Sequence, residues 1–402
     1  MQILTKGRFK IMKITKAITN CQLVLENGIL WDATLLLSDN RIAAFGEARV
    51  TEIPEGVEVI DAGGDYVGPG FIDVHVHGGG GYQTSTHPIE AAEHFLRHGE
   101  TSLLCTPSGT GSKPRDELVT IIHTIREAMK VAKNIKGIHM EGPYYNPNYG
   151  ANKKLNTWGN RPIVEEDFIP LVDAGGTDIK NWMIAPERVG EGLMDFLKYA
   201  RKVNPDVLFS VGHSEATPAQ IRALGKYRPT NMTHITNATG MLPAPGGTRS
   251  FGPDEYALKE PEMYAELICD SFAVHVPADL QRYVIKGKTV DKVILITDST
   301  VYPNSPPEGL AHVTDLNFDN WGGLAGSKLT MDVACKNIMK HTTCGITEAF
   351  IMASRNPARL FGWDEEIGTI EVGKIADLVI VNDRFDVKTV ILGGEVCEFK
   401  EA

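Results

Sequence analysis

Two histidines, separated by a single residue, lie at the end of an apolar run. His75 and His77 belong to the segment PGFIDVHVHG, residues 69–78. Side chains at positions i and i+2 of a β-strand point to the same face, so we expect the two imidazoles to converge. Taken alone, the pair also fits two histidines on an exposed strand edge.

Four further polar side chains end other apolar runs, and these are Glu141, His213, His234 and Asp298. Burying a polar side chain at the end of an apolar strand costs free energy unless the side chain binds a partner. Imidazole and carboxylate donors without thiolates suit Zn²⁺, Fe²⁺, Mn²⁺ or Co²⁺. Such a metal lowers the pKa of a bound water, and an aspartate such as Asp298 can then move its proton. The set therefore predicts hydrolysis of an amide or a similar bond.

The apolar runs that carry these residues recur along the chain as buried parallel strands do. There are eight runs, at 66–78, 101–109, 135–144, 181–187, 206–214, 229–238, 264–275 and 292–299. Helical patterns at 89–99, 114–130 and 217–227 separate several of them. This alternation predicts an α/β fold, a (β/α)₈ TIM-like barrel with its active site at the C-terminal strand ends. Only the crossover at 242–253 lacks a helical pattern.

Both ends of the chain have a different pattern from its middle. Residues 13–68 and 366–402 consist of short alternating strands bounded by turn residues. We expect these two segments to form one discontinuous small β-sandwich domain. The barrel, residues 69–365, is then inserted between them.

Composition limits the classes of partner. The 402 residues include 40 Lys and Arg against 51 Asp and Glu, for a net charge of −11. This balance argues against a nucleic-acid partner, which needs a basic face. No apolar run approaches the ~20 residues of a membrane span. The six cysteines form no CxxC pair, so the sequence suggests neither a zinc ribbon nor a disulfide framework. We expect a cytoplasmic protein without membrane contact, with Met1 or Met12 as its start.

The order and spacing of the motifs resemble the amidohydrolase superfamily, and within it the N-acetylglucosamine-6-phosphate deacetylase family. The matching segments are PGFIDVHVHG, GIHMEGPY, VGHSEAT, THITNA, LITDS, LAGSKLTMD, MASRNPARLFG and IGTIEVGKIADLVIVND. The resemblance covers nearly the whole chain. It implies a homodimer that removes the acetyl group from an amino-sugar phosphate, with one or two divalent ions as cofactor.

The same resemblance implies a role for each motif residue. Glu141, His213 and His234 look like ligands of the catalytic metal, and Asp298 looks like the acid/base. The pair His75 and His77 looks like part of a second metal site, as in family members that keep this pair.

The substrate side departs from the family pattern at three places. Asn237 and the Ala238 backbone are implied as phosphate contacts, but Asn152 stands where relatives have a histidine. Arg249 is the candidate phosphate-binding arginine in a displaced register, and it fits a solvated loop arginine equally well. His275 is the expected counterpart of a substrate-contacting histidine, two residues later than in the family.

Three functions remain open from the sequence. The first is hydrolysis of the acetamide of N-acetylglucosamine 6-phosphate to glucosamine 6-phosphate and acetate. The second keeps the chemistry but acts on another N-acyl or cyclic amide, because segments 145–160, 242–253 and 269–275 are altered. The third is a catalytically silent barrel that serves as a binding or assembly protein. Such proteins usually lose metal ligands or the acid/base, whereas here all six of these positions are filled.

Overall fold

The computed structural model describes the backbone of residues 2–5 and 8–11, and residues 13–241 and 250–399 in full. The helices are α1 (Pro88–Arg97), α2 (Arg115–Met129), α3 (Glu165–Gly175), α4 (Leu193–Val203), α5 (Pro218–Ala223), α6 (Pro253–Lys259), α7 (Ala278–Lys288), α8 (Met331–His341), α9 (Ile346–Phe350) and α10 (Asn356–Phe361). The first strands are β1 (Gln2–Thr5), β2 (Arg8–Ile11), β3 (Lys16–Leu25), β4 (Gly28–Ser38), β5 (Arg41–Glu47), β6 (Glu58–Asp61), β7 (Tyr66–Pro69), β8 (Phe71–Val76), β9 (Gly78–Gly79), β10 (Tyr82–Gln83) and β11 (Glu100–Cys105). The others are β12 (Ile135–Glu141), β13 (Ile179–Ile184), β14 (Leu208–Val211), β15 (Asn231–Met232), β16 (Tyr264–Ile268), β17 (Val293–Ile296), β18 (Leu316–Phe318), β19 (Leu324–Ser327), β20 (Leu378–Val381), β21 (Val387–Leu392) and β22 (Glu395–Val396).

Strand β8 and strands β11 to β17 form the predicted barrel. They pair in parallel in the order β17-β16-β15-β14-β13-β12-β11-β8, so each strand lies beside its predecessor in the chain. The first and last strands meet where Asp298 N donates to His75 O at 3.0 Å and His77 N donates to Ser299 O at 2.7 Å. This closure brings the histidine pair beside Asp298. The prediction of a (β/α)₈ barrel is confirmed.

The barrel strands are apolar because both of their faces are covered. Every residue of β8 and of β17 is buried, as in strands that lie between a barrel interior and a layer of helices. On the outside, Phe196 of α4 packs edge-on against Trp182 of β13, with ring centroids 5.1 Å apart. Helix α5 begins at a Thr217 cap, whose side chain accepts from Gln220 N while Gln220 Oε1 accepts from Thr217 N.

Strands from both ends of the chain form a second sheet. Its order is β22-β21-β20-β7-β3-β4-β5, and β6 pairs with the first half of β3. Strand β7 joins the two chain ends, because it is antiparallel to β20 and parallel to β3. Ile18, Leu35, Leu378 and Ile391 share one buried apolar cluster in this sheet.

The crossover after β15 is described in part. Residues 242–249, including Arg249, lie outside the described residues. Helix α6 begins at Pro253, just after this segment. In the described part of the chain, no helix combines the length and the apolar character that crossing a membrane requires.

Candidate metal centre and substrate pocket

The polar side chains at the C-terminal ends of the barrel strands gather into two groups. One group is His75, His77 and Asp298, and the other is Glu141, His213 and His234. Within each group the ligand atoms lie within 4.8 Å of one another. The structure therefore brings together all six residues that the sequence predicts for the metal and the acid/base.

Strand ends and tight turns position these side chains. Glu141 is the last residue of β12, whereas His213, His234 and Asp298 each follow a barrel strand by two residues. These last three have positive φ angles of 45°, 33° and 45°. Left-handed backbone is unfavourable for residues other than glycine, and it is retained where the surrounding structure enforces it, often at functional sites.

Glu141 contacts both groups. Its Oε1 lies 3.0 Å from His213 Nε2 and 3.2 Å from His234 Nε2. Its Oε2 lies 3.2 Å from His77 Nε2. One carboxylate is thus shared between the two sets of imidazoles.

The donor set fits a divalent metal. The Nε2 atoms of His75 and His77 lie 3.3 Å apart, and both face Asp298 Oδ1, at 3.6 and 3.4 Å. Imidazole nitrogens and carboxylate oxygens facing one another this closely are typical ligands of zinc and of neighbouring transition metals. The arrangement has room for one or two ions, because each group offers three ligand atoms.

Electrostatics in the cluster favour a cation. Burial alone lowers the pKa of His77, but hydrogen bonds to Asp298 and Glu141 raise it to about 9. For His75 too, the effect of burial is outweighed by Asp298 and Glu141, which hold the pKa well above its usual value. Carboxylates that stabilise a positive imidazole also stabilise a metal ion in its neighbourhood.

A cavity of about 650 Å³ opens above these residues. That size is typical of pockets for small molecules. Asn152, Asn237, Ala238 and His275 line it together with His77, Glu141, His213, His234 and Asp298. Four of the five predicted substrate contacts therefore lie in the same pocket as the metal ligands, and Arg249 falls outside the described residues.

Two of these residues present polar atoms that have no partner among the described residues. His275 directs Nδ1 to Asp270 Oδ2 at 3.3 Å, which leaves Nε2 buried and unpaired. Asn152 donates from Nδ2 to the Tyr302 hydroxyl at 2.8 Å, and its Oδ1 is buried and unpaired. Buried polar atoms are nearly always hydrogen-bonded, so both atoms are candidates for contact with a bound molecule.

Sequence reasoning missed two parts of the pocket wall. Tyr302 lines the cavity, and so does the loop Ser108–Lys113 that follows β11. Lys113 is the only lysine or arginine in the described lining, and its amine is paired with Glu117. The sequence could have indicated this loop, because it directly follows a barrel strand and such loops build the active face of this fold.

Comparison with known proteins relates the whole chain to one family. The Amidohydrolase family matches residues 66–397. The N-acetylglucosamine-6-phosphate deacetylase of Haemophilus influenzae is 28% identical over 94% of this chain and 98% of the relative. The N-acetylgalactosamine-6-phosphate deacetylase of Escherichia coli O157:H7 is also 28% identical, over the same shares of the two chains.

Solved structures agree with the sequence relatives. The N-acetylglucosamine-6-phosphate deacetylase of Pasteurella multocida has a TM-score of 0.81 at 25% identity, covering 95% of this chain and 99% of that one. A mutant of the Mycobacterium smegmatis enzyme in complex with N-acetyl-D-glucosamine-6-phosphate has a TM-score of 0.78 at 25% identity, covering 96% and 99%. With the family match extending over most of the sequence, this chain belongs to the amidohydrolase family, whose members are metal-dependent hydrolases.

Proposed function

We propose that this chain hydrolyses the acetamide of N-acetylglucosamine 6-phosphate to glucosamine 6-phosphate and acetate. The observation that carries the proposal is the gathering of His77, Glu141, His213, His234 and Asp298 along one cavity, with His75 buried beside them. Full-length similarity to deacetylases of amino-sugar phosphates supports this choice of substrate over other amides.

Five of these side chains hold the metal in our account. Glu141, His213 and His234 form one position, and His75 and His77 form the other, with Glu141 adjacent to both. When bound, a divalent ion polarises the acetamide carbonyl and lowers the pKa of water. Zn²⁺, Fe²⁺, Mn²⁺ and Co²⁺ all suit these nitrogen and oxygen ligands.

Asp298 moves the proton. Its carboxylate lies at the cavity wall, and Oδ1 is 3.4 Å from His77 Nε2. The carboxylate accepts a proton from the water that attacks the acetamide carbon, and it returns this proton to the sugar nitrogen as the carbon–nitrogen bond breaks. Acetate and the free amine are the products, and Asp298 ends the cycle as a carboxylate.

The remaining lining residues hold the sugar phosphate. His275 Nε2 and Asn152 Oδ1 are unpaired atoms at the cavity and offer hydrogen bonds to the sugar. Asn237 and the backbone of Ala238 contribute phosphate contacts, as the family resemblance suggests. Arg249 supplies the positive charge that the phosphate needs, since Arg suits bidentate phosphate contact.

A second candidate substrate is the C4 epimer of the sugar. The relative from Escherichia coli O157:H7 that carries the name N-acetylgalactosamine-6-phosphate deacetylase is as similar to this chain as the first candidate's relative. The two sugars differ only in the direction of one hydroxyl group, so the same metal and the same Asp298 serve both.

A substrate panel separates these possibilities. The metal-loaded protein is assayed for acetate release from both N-acetylhexosamine 6-phosphates, from unphosphorylated N-acetylglucosamine, and from an N-acyl amino acid and a cyclic amide. We expect the highest kcat/KM with N-acetylglucosamine 6-phosphate. Preference for the galactosamine epimer selects the second candidate, and preference for an unphosphorylated amide refutes both.

We also propose that the chain forms a homodimer, as the family resemblance implies, and that it works in the cytoplasm. Light scattering on the protein as it elutes from a size-exclusion column is expected to give twice the mass of one chain. A monomer mass at micromolar concentration would contradict this part of the proposal.

A further inference from the structure

A buried carboxylate lies behind His75, on the side away from the cavity. Glu266 belongs to β16, and its Oε2 is 3.8 Å from His75 Nδ1. Both residues are 0% exposed, and neither of these two atoms has a hydrogen-bond partner among the described residues. The two groups therefore face each other with no competing partner.

Asn231 fixes the orientation of this carboxylate. The Asn231 amide donates from Nδ2 to Glu266 Oε1 at 2.5 Å. The other end of that amide, Oδ1, accepts from the Thr230 hydroxyl at 3.2 Å, so its NH₂ group is directed at Glu266. With Oε1 satisfied in this way, Oε2 is the oxygen left for His75.

His75 differs in this respect from the other imidazoles of the centre. Like His75 Nδ1, the Nδ1 atoms of His77 and His213 have no hydrogen-bond partner among the described residues, and His234 Nδ1 faces the Asn237 carbonyl at 3.2 Å. Of these four imidazoles, within the described ranges, only that of His75 has a carboxylate within ion-pair distance of its Nδ1 atom. An anion behind a histidine holds the proton on Nδ1 and leaves Nε2 free to bind a metal. Among these imidazoles, His75 is therefore the one whose Nδ1 faces a carboxylate.

Glu266 also needs a positive partner of its own. A carboxylate without exposure is costly unless it is paired, and in the described ranges its one charged neighbour within ion-pair distance is His75. A neutral imidazole satisfies this need poorly. An imidazole bound to a cation satisfies it well, because the metal makes the Nδ1–H group more acidic and a stronger donor.

We propose that Glu266, held by Asn231, is a positioning residue for the metal position formed by His75 and His77, and that it favours the binding of an ion there beside the one at Glu141, His213 and His234. The inference rests on the proposed metal-dependent function. It assigns Glu266 a role that neither the sequence motifs nor the cavity indicates, because Glu266 is not among the residues that line the cavity.

The test is the substitution E266Q, read out by metal binding in the full-length protein without substrate. Asn231 directs NH₂ at position 266, so the carbonyl of the introduced amide turns toward Asn231 and its NH₂ turns toward His75 Nδ1. This arrangement favours the proton on His75 Nε2, where it blocks metal binding. We expect two ions per wild-type chain and one in E266Q, with the affinity for the second ion about 10- to 100-fold lower.

Glu100 offers a matched control. It is a buried glutamate of barrel strand β11 that accepts from Met331 N at 2.8 Å and is not paired with any of the histidines of the centre. E100Q is expected to keep two ions, as counted by elemental analysis after dialysis and by competition with a chelator. Equal metal affinity in E266Q and wild type overturns the inference while leaving the proposed function intact. A wild-type chain that takes up no divalent ion refutes both.

The double variant N231D/E266Q keeps the inference testable if E266Q does not fold. The carboxylate introduced at position 231 accepts from the NH₂ of the introduced amide, whose carbonyl then faces His75 Nδ1–H again. We expect the second ion to return in this variant, and a folded double variant that binds only one ion contradicts the orientation argument.

Discussion

At the scale of single residues, the centre depends on how two carboxylates are divided between its imidazoles. Glu141 lies within ion-pair distance of His75, His77, His213 and His234. Within the described part of the chain, Asp298 is paired only with His75 and His77. Both carboxylates line the cavity, Glu141 at the end of β12 and Asp298 two residues after the last barrel strand. The Glu141 carboxylate, which both groups share, is therefore suited to hold metal, and the Asp298 carboxylate is suited to move a proton.

The substitution D298N tests that division. An amide cannot accept the proton from water, so kcat for acetate release is expected to fall by about 10²- to 10⁴-fold. Elemental analysis is expected to find the ion at Glu141, His213 and His234 still bound, because Asp298 is not part of that group. A D298N variant with wild-type kcat would remove Asp298 from the mechanism.

At the scale of elements, the turns after the barrel strands leave little room around the ligands. Gly150, at a φ of 92°, packs against the His213 ring so closely that an added Cβ would lie 2.2 Å from ring atoms. The loop that ends in Asn152 thus packs against the His213 ring at the cavity. A side chain at Gly150 has to displace one of the two.

We therefore expect G150A to weaken metal binding at His213 and to lower kcat. Gly176 provides the control, since it has a φ of 53° and no atom within 4 Å of an added Cβ. Both substitutions carry the backbone cost of a positive φ, but only G150A pushes on a ligand. Equal metal content in G150A and G176A, by elemental analysis, would show that the contact does not matter.

The cap of α5 gives a prediction about stability alone. Thr217 accepts from Gln220 N and lies at the start of the helix, where the backbone N–H groups lack helical partners. T217A is expected to lower the free energy of unfolding by about 1 kcal/mol. Urea unfolding measures this, with T124A on the exposed face of α2 as the control. A loss in T217A no larger than in T124A would contradict the capping argument.

Much of the barrel could be predicted because each of its strands overlaps an apolar run, and five of these eight runs carry a predicted metal or acid/base residue near their end. Strand β15 is the weakest case, with only Asn231–Met232 in strand conformation within the predicted run. Glu266 could not be found in this way. A glutamate inside the run YAELI points to no site until the barrel register places it behind His75.

At the scale of the whole molecule, the chain ends meet at one sheet beside the barrel. Strand β7 pairs with β3 and β20, and β8 begins the barrel two residues later. This supports the division into a β domain of residues 13–68 and 366–402 and a barrel of residues 69–365, which remains a prediction. The sequence could indicate both terminal segments, but their pairing into one sheet depends on contacts across the whole chain.

Charge at this scale sets a constraint on the substrate. A chain with a net charge of −11 has to bind a phosphate through a few local groups. Lys113 is already paired with Glu117, so the described lining offers no unpaired lysine or arginine. The phosphate contact is therefore the part of the account that depends most on Arg249.

The most direct test of the account is acetate release from N-acetylglucosamine 6-phosphate by the same protein before and after metal removal. The metal-loaded chain is expected to release one acetate for each glucosamine 6-phosphate formed. Chelation is expected to abolish this activity, and Zn²⁺, Fe²⁺, Mn²⁺ or Co²⁺ to restore it, because the centre polarises the carbonyl only when an ion is bound. A metal-loaded chain that releases no acetate, or a metal-free chain that releases it at the same rate, would contradict the account.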